Sequence, residues 1–329
     1  MNLAAIFGCS GPVLTGAERD FFRAAQPWGF ILFARNIESA EQLRKLTADL
    51  REAVGWNAPI FIDQEGGRVA RLRPPLVRDW TPPLEMACAA GPNAARAFWL
   101  RYRLIAAELL SFGIDGNCAP MADMARADTH PFLRNRCYGE ELQDVIANAR
   151  ACAEGHLDGG VLPVLKHMPG HGLARVDSHL DLPRVEIDAE TLSNVDFAAF
   201  KALSDLPLGM TAHLVFEALD DRPATLSPKM MRLIRQDIGF DGLIMTDDIS
   251  MGALSGTVAR RSEKAIAAGC DVVLHCNGEL DEMESIANVC GDLTEQAEVR
   301  AERALAQRRS PSDIDISALE AEFSSLLNG

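Results

Sequence analysis

Residues 29–63, GFILFARNIESAEQLRKLTADLREAVGWNAPIFID, carry the pattern that decides the fold. A short apolar run, Gly29–Ala34, leads into an amphipathic stretch, Glu38–Val54, and then into a second apolar run, Pro59–Asp63, that ends in a carboxylate. Short apolar runs bounded by polar residues are how buried parallel strands read, and the longer stretch between them has helical periodicity. The same alternation recurs along the chain. Further strands are predicted at Leu3–Gly8, Gly113–Asn117, Val161–Lys166, Leu208–His213, Gly242–Asp247 and Asp271–Cys276, each followed by a helical pattern such as Ala94–Phe112. Eight strands alternating with eight helices predict the α/β class and, within it, a (β/α)8 TIM barrel. The alternative is a doubly wound open sheet, but no GxGxxG follows an early strand and nothing marks a boundary midway. One barrel domain is therefore expected over residues 1–329, with a helical tail over about 280–329 that breaks at a solvated Arg308–Ser312 and wraps the barrel.

Composition agrees with one large core. Of 329 residues, 48% are hydrophobic and 24% charged, too apolar and varied for a disordered or fibrous chain. Lys and Arg number 32 against 47 Asp and Glu, and the resulting charge of -15 repels phosphate backbones and anionic membrane surfaces. Nucleic acid and membrane are thus not expected as partners. The opening MNLAAIFGCSG lacks the basic region of a signal peptide and reads as the first strand. The 8 cysteines form no CxxC pair, so reduced thiols and a cytoplasmic setting are expected. With no obvious apolar interaction helix, the expected state is a monomer.

Three connections, Arg73–Pro92, Met121–Gly139 and Met168–Asp188, are too long for ordinary turns, and all follow predicted strands. In a barrel such loops emerge at the C-terminal face, where active sites are built. The last residues of the strands are Asp63, Asn117, Lys166 with His167, His213, Asp247 with Asp248, and His275 with Asn277. Polar residues arriving at one end of separate strands point to a solvated, chemically competent pocket.

Three segments carry the chemistry. FIDQEGGRVARL places Asp63 and Glu65 before Gly66-Gly67, then Arg68 and Arg71. Asp63 offers acceptors and Arg71 a fork of donors, a combination suited either to sugar hydroxyls or to a buried structural ion pair. KHMPGHGLARVDSHLDLP holds Lys166, His167, His171, Asp177 and His179. His167 and His171 have the i,i+4 spacing of a zinc helix, but Pro169 and Gly170 spoil the helix, and no HxH follows the first strand. Neither metal nor cofactor is expected. Asp177 and His179 lie two apart, so in an extended loop they face one side and the carboxylate can orient the imidazole. In GLIMTDDISM only one of Asp247 and Asp248 can face the pocket, because strand side chains alternate. Asp247 is the candidate nucleophile, while Asp248 or Ser250 could instead cap the next helix.

The ordered set IDQEGGR, NRCYGE, KHMPGHG, DSH and TDDISM closely resembles bacterial β-N-acetylhexosaminidases of glycoside hydrolase family 3. The resemblance implies a retaining hydrolysis of terminal N-acetylglucosamine β-linkages through a covalent glycosyl-aspartate. It implies Asp247 as nucleophile, His179 as acid/base and Asp177 as its partner, with Asp63, Arg71, Arg136, Lys166 and His167 binding the non-reducing sugar. It also implies a small carbohydrate substrate, an N-acetylglucosamine-containing muropeptide of peptidoglycan recycling. Two departures stand out: Cys137 where Ser is commoner and Met168 where Phe is commoner. A β-glucosidase of the same family and a sugar-binding barrel without catalysis are the competing readings.

Overall fold

All six residues of the first strand, Leu3–Gly8, are buried, as expected of a strand covered on both faces. In the computed structural model, which describes residues 2–174 and 182–328, it is one of eight parallel strands in a closed barrel. The others are Pro27–Leu32, Ile60–Ile62, Gly116–Asn117, Leu162–Met168, Leu208–Thr211, Leu243–Asp248 and Val272–His275. Closure is made where the first strand pairs on one side with the second, Ile6 beside Gly29, and on the other with the eighth, Ile6 beside Leu274.

The boundaries shift for local reasons. The second strand stops at Leu32 because Ala34–Asn36 turns into a 3-10 helix, pinned by the Asn36 side chain, which donates to the carbonyls of Cys9 and Gly11. The fourth is only Gly116–Asn117, since Ile114 N–H still bonds back to Leu109 at the end of helix Ala94–Leu110. Gly116 is needed there: a Cβ would stand 2.3 Å from the Phe61 ring of the neighbouring strand. Helix Ala40–Val54 begins where Ser39 accepts from Gln42 N–H and ends at Gly55 in the left-handed region, so both helix ends are satisfied.

Two of the three long connections contain short helices, Pro83–Ala90 and Pro131–Arg134. The third includes Arg184–Val185, which pairs with Val215–Phe216 from the next connection. The segment from Leu280 divides. Leu280–Cys290 follows the eighth strand and packs against the first strand as the eighth barrel helix, leaving Glu295–Leu305 and Ile316–Asn328 beyond it. The last helix does lie along the barrel, with Phe323 edge-on to Trp80 and Glu322 paired to Arg96 at 2.7 Å. The break between these helices is exposed but tethered. Arg308 donates to Asp115 at 2.7 Å on the N-terminal side of the barrel, and Ser312 N–H bonds to the Asp158 carbonyl. Solvation was the expectation from its charge; the buried end of Asp115 supplies a partner that the local sequence does not reveal.

Candidate active site

At the C-terminal ends of the strands a cavity of about 290 Å³ opens, and its wall includes Asp63, Arg71, Arg136, Lys166, His167 and Asp247. The third strand delivers Asp63, and the chain then makes a small hairpin, Gln64–Gly66 with Val69–Ala70. Gly66 sits at φ 106°, with Arg101 Nη2 only 1.8 Å from where a Cβ would be, so this turn requires glycine. Gln64 closes the loop by accepting from the N–H groups of Arg71 and Leu72.

The hairpin carries the centre of an ion network. Lys166 Nζ donates to Asp63 Oδ1 at 3.0 Å and to Glu65 Oε1 at 2.6 Å. Arg136 grips Glu65 with two parallel bonds, Nε to Oε2 at 2.9 Å and Nη2 to Oε1 at 2.8 Å, and Arg71 Nη2 meets Asp63 Oδ2 at 3.1 Å. Burial alone would raise the Asp63 carboxyl, but Lys166 and Arg71 outweigh it and hold the group well below the usual range. Glu65, wholly buried, is likewise pulled down to about 2 against its burial by Arg136 and Lys166. Both are anions at neutral pH.

Asp123, from the loop after the fourth strand, is the second organising carboxylate. It receives His167 Nδ1–H on Oδ2 at 2.8 Å and His171 N–H on Oδ1 at 2.6 Å. With Nδ1 so engaged, His167 has its Nε2 edge left for the cavity it lines. The Lys166–His167 peptide is cis, and both side chains line the cavity.

The seventh strand ends in Asp247 and Asp248, and both line the cavity, against the expectation that strand alternation admits only one; the pairing with the eighth strand is irregular between Met245 and Asp248, and the two carboxylates differ in occupation. Asp248 accepts from Ser250 N–H, Ser250 Oγ–H and Cys276 N–H, which ties it into the turn and the eighth strand. The next helix is capped by Thr257, so Asp248 holds a turn rather than a helix end. Asp247, among the described residues, receives only the N–H of Asp248 at 2.8 Å. Its carboxyl lies below the ordinary value: burial opposes this, and His167, His213, the Asp248 N–H and Lys166 together prevail. In the ring order of strands the seventh stands across the barrel from the third, which places Asp247 opposite Asp63.

The model of the glycosyl hydrolase family 3 N-terminal domain matches residues 17–307. The chain belongs to glycoside hydrolase family 3. A β-hexosaminidase of Alkalilimnicola ehrlichii is 36% identical over 280 residues, 83% of this chain and 80% of its own length. One of Methylococcus capsulatus is 37% identical over 282 residues, with coverage of 83% and 82%. The crystal structure of NagZ from Neisseria gonorrhoeae in complex with N-trifluoroacetyl-D-glucosamine is similar across 99% of this chain and 98% of that one, with TM-score 0.89 and 27% identity. The protein is thus a family 3 glycosidase of the β-hexosaminidase group, on a TIM barrel, as its motifs led us to expect.

Not every polar strand end of this family 3 barrel reaches the cavity. Asn117 is fully buried and bonds to the backbone of Gln64 and to His156 Nε2, which makes it a strut. His275 is also buried, its Nε2 on Glu282 at 2.7 Å, behind the wall. His213 is spoken for at both nitrogens, by Thr225 Oγ1 at 2.8 Å and the Asp248 carbonyl at 3.0 Å, so it anchors the turn at the end of the seventh strand. Asp177 and His179 lie outside the described residues. The sequence names Glu65 and His171 without giving either a place in the site, and it does not point to Asp123. The two departures pack inside: Cys137 donates weakly to the Leu133 carbonyl, and Met168 fills the space beside Gly209. No helix is long and apolar enough to cross a membrane among the described residues.

Proposed function

We propose that this protein is a retaining β-N-acetylhexosaminidase that releases terminal non-reducing N-acetylglucosamine. The observation that carries the reading is the contrast at the seventh strand: both carboxylates line the cavity, but Asp248 accepts from Ser250 and Cys276, while Asp247, among the described residues, receives only the Asp248 N–H and faces a cluster of donors and acceptors as an anion. A carboxylate beside an anomeric carbon can attack it and form a glycosyl-enzyme, which water then opens. Asp63, Arg71, Arg136, Lys166 and His167 supply alternating acceptors and donors for sugar hydroxyls, and Arg136 is itself set by Glu65.

The departing oxygen needs a proton. Asp63 and Glu65 are held ionised, and His213 has both nitrogens occupied, so none of these can donate. His179, oriented by Asp177, supplies the acid and then the base in this proposal, and no cofactor is needed. Protonation matters only for a poor leaving group. His179→Ala is therefore expected to slow glycosylation by about 10³-fold for alkyl or sugar leaving groups while sparing dinitrophenyl glycosides. Equal slowing for both, measured in pre-steady-state bursts, would make His179 a binding residue and move the acid elsewhere.

The experiment that tests the function is a paired assay on p-nitrophenyl N-acetylglucosaminide and p-nitrophenyl glucoside. A site built to pair with the 2-acetamido group is expected to favour the first by about 10³-fold in kcat/KM. Comparable rates would instead establish a β-glucosidase, and no turnover of either a binding barrel. We further propose that the natural substrate is N-acetylglucosamine β-linked to an anhydro-muramic acid peptide, in a cytoplasmic step of peptidoglycan recycling carried out by a monomer. The support is the likeness to the hexosaminidases named above, and release of N-acetylglucosamine from that muropeptide is the check.

A further inference from the structure

His171 lines the cavity, is 4% exposed, and among the described residues has neither Nδ1 nor Nε2 in a hydrogen bond. Its backbone is well held: N–H on Asp123 Oδ1 at 2.6 Å and the carbonyl accepting from Ala174 N–H at 3.0 Å. The ring packs edge-on to His167 with centroids 5.4 Å apart. Asp123 is close but occupied by His167 and by the His171 backbone. A ring fixed in place by its backbone and neighbour, yet with two buried polar atoms unmet, is costly unless something entering the cavity meets them.

Burial, with help from His167, brings the His171 pKa down to about 4. The ring is therefore neutral at pH 7 and presents one donor and one acceptor. That pair matches a hydroxyl or a secondary amide, each of which can both give and take a hydrogen bond. Burial also removes competing water. We infer that His171 is a substrate-contacting residue of this site, hydrogen-bonded to a hydroxyl or the amide of the bound sugar. The inference rests on the proposed hexosaminidase function and adds a contact that the motif reading did not assign.

The test compares His171→Leu and His171→Gln with the parent on p-nitrophenyl N-acetylglucosaminide, together with thermal melting in the presence and absence of N-acetylglucosamine. Leu fills similar space without polar atoms. It is expected to raise the melting temperature of the unliganded protein by roughly 2–4 °C, because an unmet buried group has gone. It is also expected to lower kcat/KM by about tenfold and to shrink the melting shift given by the sugar. Gln, with one donor and one acceptor at the end of its side chain, should recover part of the lost kcat/KM. A structural histidine would behave the other way, and a lower melting temperature with unchanged kcat/KM overturns the inference. Asp123, His167 and His171 also place their ligand atoms within 4.8 Å of one another, so a Zn2+ titration is included. Calorimetric Zn2+ binding that disappears in His171→Leu, together with hexosaminide turnover that is lost in chelator and restored by Zn2+, likewise overturns the direct sugar contact. If the parent itself turns over no hexosaminide, the proposed function fails first, and that result is separable from these.

Discussion

Asp247→Asn is expected to leave the protein folded and to lower kcat by about 10⁴-fold or more, roughly 5 kcal/mol of barrier. Asn is isosteric and keeps an oxygen for the Asp248 N–H that now bonds to Oδ1 at 2.8 Å, so the turn at the end of the seventh strand survives. What disappears is the negative charge and the oxygen that the proposed mechanism uses as nucleophile. No described neighbour can replace it, since Asp248 is held by Ser250 and Cys276 and Asp63 by Lys166 and Arg71. Melting temperature and kcat measured on the same preparation separate loss of chemistry from loss of fold. A 2-fluoro or 5-fluoro glycosyl donor should label the parent at Asp247, read by peptide mass spectrometry. Label recovered on Asp248 would reverse the assignment.

The second large effect is expected at a residue that need not touch the sugar. Glu65→Ala removes the carboxylate that balances Lys166 and Arg136, both at most 9% exposed, and leaves Lys166 paired only to Asp63 and Arg136 without its ion-pair partner among the described residues. Breaking a buried pair from one side costs about 3–5 kcal/mol, and here two cations lose the same partner. The expected result is a fall in urea midpoint together with a loss of kcat/KM, because Arg136 and Lys166 no longer stand where the sugar needs them. Glu65→Gln, which keeps the shape, should fall between. The pH dependence has a definite sign. The Glu65 carboxyl has an ordinary value of 4.5 and is brought down to about 2 in the fold. Its contribution is therefore complete above about pH 4.5 and is lost as pH falls toward 2. Urea melts from pH 7 to pH 3 should show the parent losing its advantage over Glu65→Gln across the lower part of that range. Parallel pH profiles for the two proteins would remove Glu65 from the network.

The sequence reading located the site's side of the barrel and most of its polar lining, and it erred in one consistent way. It treated every polar strand end as a cavity residue. Asp63, Lys166, His167 and Asp247 do line the cavity, whereas Asn117 and His275 turn into the packing between elements. Periodicity shows that a residue stands at a strand end; it does not show how far that strand extends before it bends away. The fourth strand ends at Asn117 itself, where the side chain takes over backbone pairing with Gln64. Pro169 and Gly170 do prevent a helix, yet the chain turns so that the His167 and His171 rings still meet.

By itself the sequence determined the eight buried strands, their parallel alternation with helices, and the family. Each of these rests on local order: the period of apolar residues and short motifs in fixed succession. Only the tertiary structure decided that Glu65 holds Lys166 and Arg136, that Asp123 orients His167, and that His171 lines the cavity with neither ring nitrogen hydrogen-bonded among the described residues. Those pairings span separations of 71 residues for Glu65 with Arg136 and 44 for Asp123 with His167. The physical reason is that a charge or ring is assigned its role by whichever group closure of the barrel brings within hydrogen-bond reach, and that partner leaves no trace in the residues on either side.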